Sequence, residues 1–352
     1  MADMSPWNGS DSGSRDDDDD HNHRTDRAQL ILITGLTLAV LLVAVVLLLN
    51  TVIYTENLAT RGVDAGGAEA AEFREGTAAD VGELLDRTDW STSDTAAFES
   101  DLSAYATTVR DHRRHDGIVA RIESETTSGA YVAQDAESRP LIPSDAYMDE
   151  TGATGDEEWP LVEGATRTRS YVLDVTVPDA GTVENDTVVE SDAFRVTVEA
   201  ADGSDEWTLY VYRVDGSDDA VVRVDDGVGD SERVVDDRTA RIDLTNGSVD
   251  GEQWEALVWA DGVEDDGSET NDRTEYDIRY ANGDTVEGSY AFVVDAPDGV
   301  ATASPAEPLH DAPDDSLYAV EAVYDTRLTV GHHTPDLRYE DRVRVAPGER
   351  DD

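Results

Sequence analysis

The sequence contains no cysteine and no lysine. Without cysteine the chain forms no disulfide, offers no thiolate nucleophile and cannot build a cysteine-ligated zinc site. Without lysine, all 26 basic residues are arginines. The guanidinium group is planar, is less strongly hydrated than an ammonium group, and pairs with a carboxylate through two parallel hydrogen bonds. A folded form of this chain must therefore be held together by packing and salt rather than by covalent cross-links.

Positive charge is scarce relative to negative charge. The chain has 80 acidic residues against 26 basic ones, a formal net charge of -54. At low ionic strength such a body repels itself, whereas at molar salt the Debye length falls to about 3 Å and the repulsion is screened. We interpret the acidity as adaptation to high salt. Disordered chains can share this composition, but here strand-like segments rich in Val, Tyr, Trp and Leu can bury a core. The charge disfavours nucleic acid as a partner.

One long apolar run without charge is present, LILITGLTLAVLLVAVVLLL at residues 30–49. About 20 helical residues at about 1.5 Å each span about 30 Å, the thickness of the bilayer core, so the run predicts a transmembrane helix over 29–53. No small-x-small cleavage site of a secretory signal follows it. Arg24 and Arg27 precede the run, and the next basic residue is Arg61. This asymmetry predicts a single-pass protein of the cell membrane with a cytoplasmic amino terminus and an extracellular carboxy-terminal domain.

The junction before the apolar run, Asp26-Arg27-Ala28-Gln29, resembles the class III signal of archaeal type IV pilins and archaellins. The stretch that continues to Arg61 is similar to a recurring type of uncharacterised haloarchaeal membrane protein. The resemblance implies cleavage after Arg27-Ala28, with Gln29 as the first mature residue and the apolar helix as a filament core. Pilins usually carry a glutamate five residues after the cut, where this chain has Ile33. The alternative is an uncleaved anchor, and both readings place the protein on the cell surface.

Composition divides the chain into four regions. The first is rich in Asp, Ser, Gly, Asn and His and predicts a disordered tail, and the last alternates apolar and polar residues as strands do. The predicted regions are an acidic cytoplasmic tail (1–28), the transmembrane helix (29–53), a helical juxtamembrane region (54–116) and a β-rich extracellular domain (117–352).

The juxtamembrane region predicts two short helices after a flexible joint at Ala65-Gly66-Gly67. Thr77-x-x-Asp80 and Ser91-x-x-Asp94 have the spacing of a helix start. In the second helix the apolar positions recur at helical spacing and predict one buried face, formed by Phe98, Leu102, Tyr105 and Val109.

After Asp116 the hydrophobic period changes to two, and no helical stretch separates the later strands. Asn282-Gly283 predicts a tight hairpin between strands 276–280 and 286–294. The predicted fold class is α+β: a transmembrane helix, short juxtamembrane helices and an antiparallel, sandwich-like β domain. The remaining predicted strands are 118–122, 171–177, 194–198, 207–212, 220–224, 240–244, 256–259, 318–324 and 339–345.

Motifs for catalysis, cofactors and metals are weak in this sequence. His112-Arg113-Arg114-His115 fits a polar helix end better than a metal site, and Gly331-His332-His333 fits a loop before Pro335. The acidic loops, such as 215–219 and 265–269, lack the ligand spacing of a high-affinity calcium loop. No catalytic, cofactor-binding or metal-binding residue is therefore predicted. Two acceptor motifs for N-glycosylation, at Asn185 and Asn246, would face outward, whereas the motif at Asn8 would not.

These features predict a non-enzymatic, surface-anchored protein that serves adhesion, pilus assembly or envelope structure. Its expected partners are the lipid bilayer and pilus or envelope proteins, with no cofactor. A membrane-anchored extracellular hydrolase or ligand-binding module is the alternative. A deep pocket lined by paired carboxylates with raised pKa values would favour that alternative.

Overall fold

A computed structural model of the chain describes residues 17–90, 95–135, 138–143, 157–184, 189–203, 205–257, 275–296 and 318–349, with the single residues 148, 152 and 154. For residues 17–33 and 49–65 it describes the backbone alone. The chain divides into two compact units, Met1–Glu69 and Ala70–Asp352. The second unit carries the β-structure.

Helix α1 (Asp17–Arg87) contributes to both units. The apolar run is thus one part of a 71-residue helix that continues through polar sequence on both sides. Among the described residues, none of the helices has both the length and the apolarity needed to cross a membrane. The predicted fold class, with its separate transmembrane helix and short juxtamembrane helices, is therefore wrong.

The expected joint at Gly66-Gly67 and the expected helix start at Thr77 both lie inside α1. An interior glycine costs a helix about 1 kcal/mol, which a long helix with continuous backbone hydrogen bonding can absorb. Instead of starting a helix, Thr77 donates its hydroxyl hydrogen bond to the carbonyl of Phe73, 2.7 Å away. Local start signals were outweighed by the cooperativity of the surrounding helix.

Helix α2 (Thr95–His115) has the buried face that its sequence predicts. Phe98 and Leu102 are buried, Tyr105 and Val109 are partly buried, and Ala106 joins them. The helix ends in the basic stretch 112–115, which suits the negative end of the helix dipole.

The second unit is β-rich. The first strands are β1 (Val119–Gln134), β2 (Trp159–Ala165), β3 (Thr168–Thr176), β4 (Thr182–Val183), β5 (Phe194–Ala200), β6 (Glu206–Val214), β7 (Ala220–Asp225) and β8 (Asp230–Val235). The remaining strands are β9 (Thr239–Asp243), β10 (Ser248–Val249), β11 (Glu252–Gln253), β12 (Tyr276–Ala281), β13 (Glu287–Val294), β14 (Tyr318–His333) and β15 (Arg338–Val345). Residues 256 and 257 of the predicted strand 256–259 belong to a 3₁₀ turn over 255–257, and residues 258 and 259 lie outside the described residues.

Two sheets result, both antiparallel apart from one short pair. Sheet A has the order β11-β10-β9-β3-β13-β1-β14-β15, and sheet B has the order β2-β12-β5-β6-β7-β8. The short strand β4 pairs with β6 in parallel. The longest pairing joins β1 to β14 over almost their whole length.

The main core lies between the two sheets and is strongly aromatic. Trp159, Tyr280 and Phe194 from sheet B meet Tyr171 and Phe292 from sheet A. The hydroxyl groups of Tyr171 and Tyr280 are 2.8 Å apart. Burial raises the pKa of both phenols, so each stays neutral and can share that hydrogen bond.

A second core lies on the opposite face of sheet A, where the helices cover it. Phe73 and Leu85 of α1 and Phe98 of α2 share this cluster with Ile122 of β1 and Val330 of β14. Sheet A therefore packs on both faces. One face packs against the helices, and part of the other face packs against sheet B.

The expected hairpin at Asn282-Gly283 is wrong, because β12 pairs with β2 and β5 in sheet B whereas β13 pairs with β1 and β3 in sheet A. The turn carries the chain from one sheet to the other. Asn282 adopts the left-handed conformation (φ 53°) and donates both hydrogen bonds of its amide to the carbonyls of Ser191 and Ala193. A Cβ on Gly283 would lie 1.9 Å from the carbonyl oxygen of Leu141. Local chemistry specified a turn, and contacts with these distant segments decided what it connects.

Candidate functional site

Part of sheet A extends beyond the sandwich, and we call this part the overhang. It consists of residues 119–127 of β1, residues 325–333 of β14, and β15. Its buried apolar residues belong to the cluster under the helices, and none of the residues of the overhang belongs to the core between the sheets. The other face of the overhang is therefore not covered by sheet B.

A groove of about 500 Å³ lies on the overhang. No residue of α1 or α2 lines it, so it opens on the side away from the helices. In antiparallel pairs, residues directly opposite each other share a face. The register places Glu123, Thr329 and Arg342 in one such row, and Glu125, Arg327 and Arg344 in the next. The groove is lined by Glu123, Ser124, Glu125, Arg327, Leu328, Thr329, Arg342, Val343 and Arg344.

Two of the groove arginines are available for a ligand. Arg327 and Arg342 are exposed, and neither makes an ion pair with any residue that the structure describes. Acidic residues outnumber arginines threefold in this chain, so two neighbouring arginines without a carboxylate partner are unexpected. Glu123, the acid across the groove, is already bonded to Arg121 at 2.5 Å. Glu125 also lines the groove, so its three arginines and two glutamates make it slightly basic on a strongly acidic protein.

The third groove arginine, Arg344, is held in a buried ionic network. Its Nε donates to Asp325 at 2.5 Å and its Nη2 donates to Glu349 at 2.6 Å. Asp325 has no solvent exposure, and its other oxygen accepts a hydrogen bond of 2.7 Å from the hydroxyl of Thr127. Arg167 lies 3.9 Å from both carboxylates. Two arginines and two carboxylates therefore neutralise each other beside the groove.

A β-bulge lies next to this network. Thr127 pairs with Asp325 and the next residue of β1 pairs with Val323, so Tyr324 is the extra residue on β14. A bulge leaves backbone groups outside the ladder. The buried side chain of Arg169 in β3 fills this need, because its Nε donates to the carbonyl of Tyr324 at 2.9 Å and its Nη2 to that of Val323 at 3.0 Å.

Burial and pairing act in opposite directions on these groups. Burial works to lower the pKa of Arg344, but its bonds to Glu349 and Asp325 outweigh that effect and hold the pKa above its usual value. For Arg169, burial dominates and lowers the pKa. Burial also raises the pKa of Tyr324, so its phenol stays neutral. The network consists of fixed charges that position the bulge and the wall of the groove.

The predicted processing and glycosylation residues fall in different parts of the structure. Arg27, Ala28 and Gln29 lie in α1, where the backbone alone is described. Asn185 lies outside the described residues. Asn246 is exposed in the turn between β9 and β10, where its amide donates to Asp243 at 2.8 Å.

The predicted loop at Gly331-His332-His333 is wrong, because these residues belong to a strand. His332 and His333 end strand β14, and His332 is fully buried with its ring 5.9 Å from that of Phe73. Within the ranges that the structure describes, no group of three or more His, Asp or Glu side chains has the arrangement of a metal site.

The first unit presents a different surface. Every described side chain from 34 to 48 in α1 is exposed, and ten large apolar ones among them are more than half exposed. These are Leu36, Leu38, Val40, Leu41, Leu42, Val43, Val45, Val46, Leu47 and Leu48. They surround the helix, so this is an apolar cylinder rather than one apolar face.

Sequence reasoning found the strand that carries Arg342 and Arg344 but did not single out the groove. The usable signal is the alternation Arg342-Val343-Arg344-Val345, which places two arginines on one face of a strand. The neighbour Arg327 could not be found in this way, because only the pairing of β14 with β15 brings it alongside.

Comparison with known proteins gives a partial match. A family model described as a family of unknown function (DUF7261) matches residues 24–140. The match covers α1 from residue 24, α2 and β1, and ends before the rest of the β-structure. No curated protein and no solved structure shows significant similarity to the chain.

Proposed function

We propose that this chain is a non-enzymatic structural or adhesion protein of the cell surface, in which the apolar part of α1 mediates assembly and the β-rich unit is displayed. The observation that carries the proposal is the exposed apolar cylinder at residues 34–48. Exposed apolar patches beyond a few hundred Å² mark interaction sites, because leaving them in water costs about 25 cal/mol per Å². A helix that is apolar all round needs an apolar environment on every side.

Other copies of the same segment can provide that environment. The likeness of residues 26–29 to pilin signals supports this choice, because in that family the apolar helices pack together as the filament core. The family match from residue 24 includes the segment. Lipid is the other apolar environment, and it is the alternative outcome of the experiment.

The experiment compares the full chain with a charge-bearing variant in molar KCl without detergent. Leu41→Asp/Val45→Asp places two charges one turn apart on the cylinder, and Ala79→Asp places a charge on an exposed part of the same helix. Sedimentation velocity should show large assemblies for the wild type and for Ala79→Asp, and single chains for the double variant.

Flotation with lipid vesicles separates the two apolar environments. Assembly without vesicles supports packing between copies. Flotation of chains that do not assemble by themselves would replace that packing with lipid binding. A wild-type chain that stays single and does not float would refute the proposed role of α1.

A ligand-binding module is the second candidate, and the groove with Arg327 and Arg342 favours it. The carboxylates buried beside this groove, Asp325 and Glu349, are paired with arginines. Such a site can hold an anion by charge and hydrogen bonding.

A further inference from the structure

Strand β15 is the last strand on one side of sheet A. Among the strands that the structure describes, β14 alone pairs with it. The outer edge of β15 therefore presents backbone N–H and C=O groups in the spacing that another extended chain can pair with. It is eight residues long, enough for several ladder hydrogen bonds.

The two faces of β15 differ in what they offer. On the helix side, Asp341 accepts a 2.9 Å bond from Arg74, and a Cβ on Gly82 of α1 would lie 3.5 Å from Val345. On the groove side stand Arg342 and Arg344. A strand added at this edge would have one face against the helices and the other face beside the groove arginines.

We propose that β15 binds an extended acidic polypeptide by strand addition, with carboxylates at alternate positions on the groove side. One lies beside Arg342 and the next beside the partly exposed Arg344, whose Nη1 takes no part in its bonds to Asp325 and Glu349. Side chains on one face of a strand repeat every two residues, about 6.6 Å apart. The two arginines have this spacing because they are two residues apart in β15. The recognised pattern is therefore acidic-x-acidic, and Arg327 on the neighbouring strand reinforces the site.

Backbone pairing is the reason for choosing a polypeptide over an acidic polysaccharide. Strand addition draws affinity from main-chain hydrogen bonds and specificity from alternate side chains. Charge complementarity selects the acidic partner, since Arg327 and Arg342 have no carboxylate partner among the described residues. In molar salt the long-range repulsion from the rest of the chain is screened beyond about 3 Å, whereas contact pairs with the arginines persist. The inference depends on the overhang alone and not on the role proposed for α1.

The test uses a fluorescent peptide with glutamate at alternate positions among threonines, and a second peptide of the same composition with its glutamates consecutive. Binding to the full chain in molar KCl is measured by fluorescence anisotropy. We expect the alternating peptide to bind at least tenfold more tightly, because only it can place all its carboxylates on the groove side. Equal affinities, or no binding of either peptide, would overturn the proposal.

Variants then locate the site. Arg342→Gln should weaken binding roughly tenfold or more through loss of a charge-assisted contact. Arg87→Gln removes the charge of another exposed arginine, at the end of α1, and should leave the affinity unchanged. Equal losses from both changes would mean that net charge, rather than the groove, attracts the peptide, and would refute the site.

Backbone methylation tests the mode of binding. Two alternating peptides are made, one methylated at the odd-numbered backbone nitrogens and the other at the even-numbered ones. Both keep their charges, but one of them loses the N–H groups that face β15 and should bind at least tenfold more weakly. Full affinity of both methylated peptides would exclude strand addition. A polyuronate that competes as well as the peptide would likewise refute a polypeptide partner. If the wild type self-associates without peptide and Arg342→Gln abolishes that association, the occupant of the site is a second copy of the chain, and a separate acidic partner is refuted.

Discussion

Asp325→Asn tests whether the buried ionic network stabilises the fold. The amide is nearly the same shape as the carboxylate and can still accept the hydrogen bond from Thr127. The substitution removes the negative charge of residue 325, so Glu349 is the one carboxylate of the network left to pair with Arg344 and Arg167. Breaking a fully buried ion pair costs about 3–5 kcal/mol. Because both arginines are about 30% exposed, solvent offsets part of this loss, and we expect a decrease of about 2–3 kcal/mol in the free energy of unfolding.

Asp174→Asn is the matched control. Asp174 also accepts a short bond from an arginine, 2.7 Å from Arg241, but here the carboxylate is 39% exposed and the arginine 60%. Surface pairs of this kind contribute about 0–1 kcal/mol. Urea unfolding in molar KCl, followed by circular dichroism, gives both values. If Asp325→Asn were no more destabilising than Asp174→Asn, the buried network would not have the role we assign to it.

Four further predictions concern packing, charge and exposure. Leu102→Asp should lower the free energy of unfolding by a few kcal/mol, because it places a charge in the core under the helices. Ser103→Asp, on the exposed side of α2, should change it little. Equal effects of the two changes on thermal unfolding would show that the buried face is wrongly assigned. The strand signal in circular dichroism should weaken as the full chain is diluted from molar salt to low ionic strength, and an unchanged signal would contradict the argument from charge screening. The buried tyrosines of the main core have folded pKa values above the unfolded value of about 10, so their contribution to stability is complete below about pH 10 and declines as pH rises toward the folded pKa. Ultraviolet absorbance should therefore show them ionising together with unfolding, and ionisation while the strand signal persists would contradict their burial. Asn246, exposed in its turn, should carry a glycan in material from native membranes, whereas Asn8 should not; peptide mass spectrometry distinguishes the two, and a glycan on Asn8 would reverse the expected sidedness.

Much of the local structure could be predicted because short-range patterns report it. Period-two alternation placed β3, β5 and β6 within a few residues of their observed bounds. The helical spacing of Phe98 and Leu102 identified the buried face of α2. These patterns work because a strand or helix must turn its apolar side chains toward a core, whatever that core consists of.

Other features failed because distant contacts decide them. The last twelve residues of β1, from Glu123 to Gln134, include few apolar residues at first and were not predicted, but β14 pairs with them as far as Ala133. The strand at His332 and His333 likewise depends on pairing with β1 and β15. Long pairing supplies backbone hydrogen bonds that a strand needs regardless of its side chains.

The candidate site divides in the same way. The sequence by itself determined the acidity of the chain, its reliance on arginine, the apolar run and the alternation that puts Arg342 and Arg344 on one face. Only the tertiary structure decided that Arg327 stands beside them, that Asp325 is buried between Arg344 and Thr127, and that Asn282 carries the chain between two sheets. The reason is physical: charge and period belong to neighbouring residues, whereas strand order, and with it every contact between strands, is set by how the whole chain buries its apolar surface.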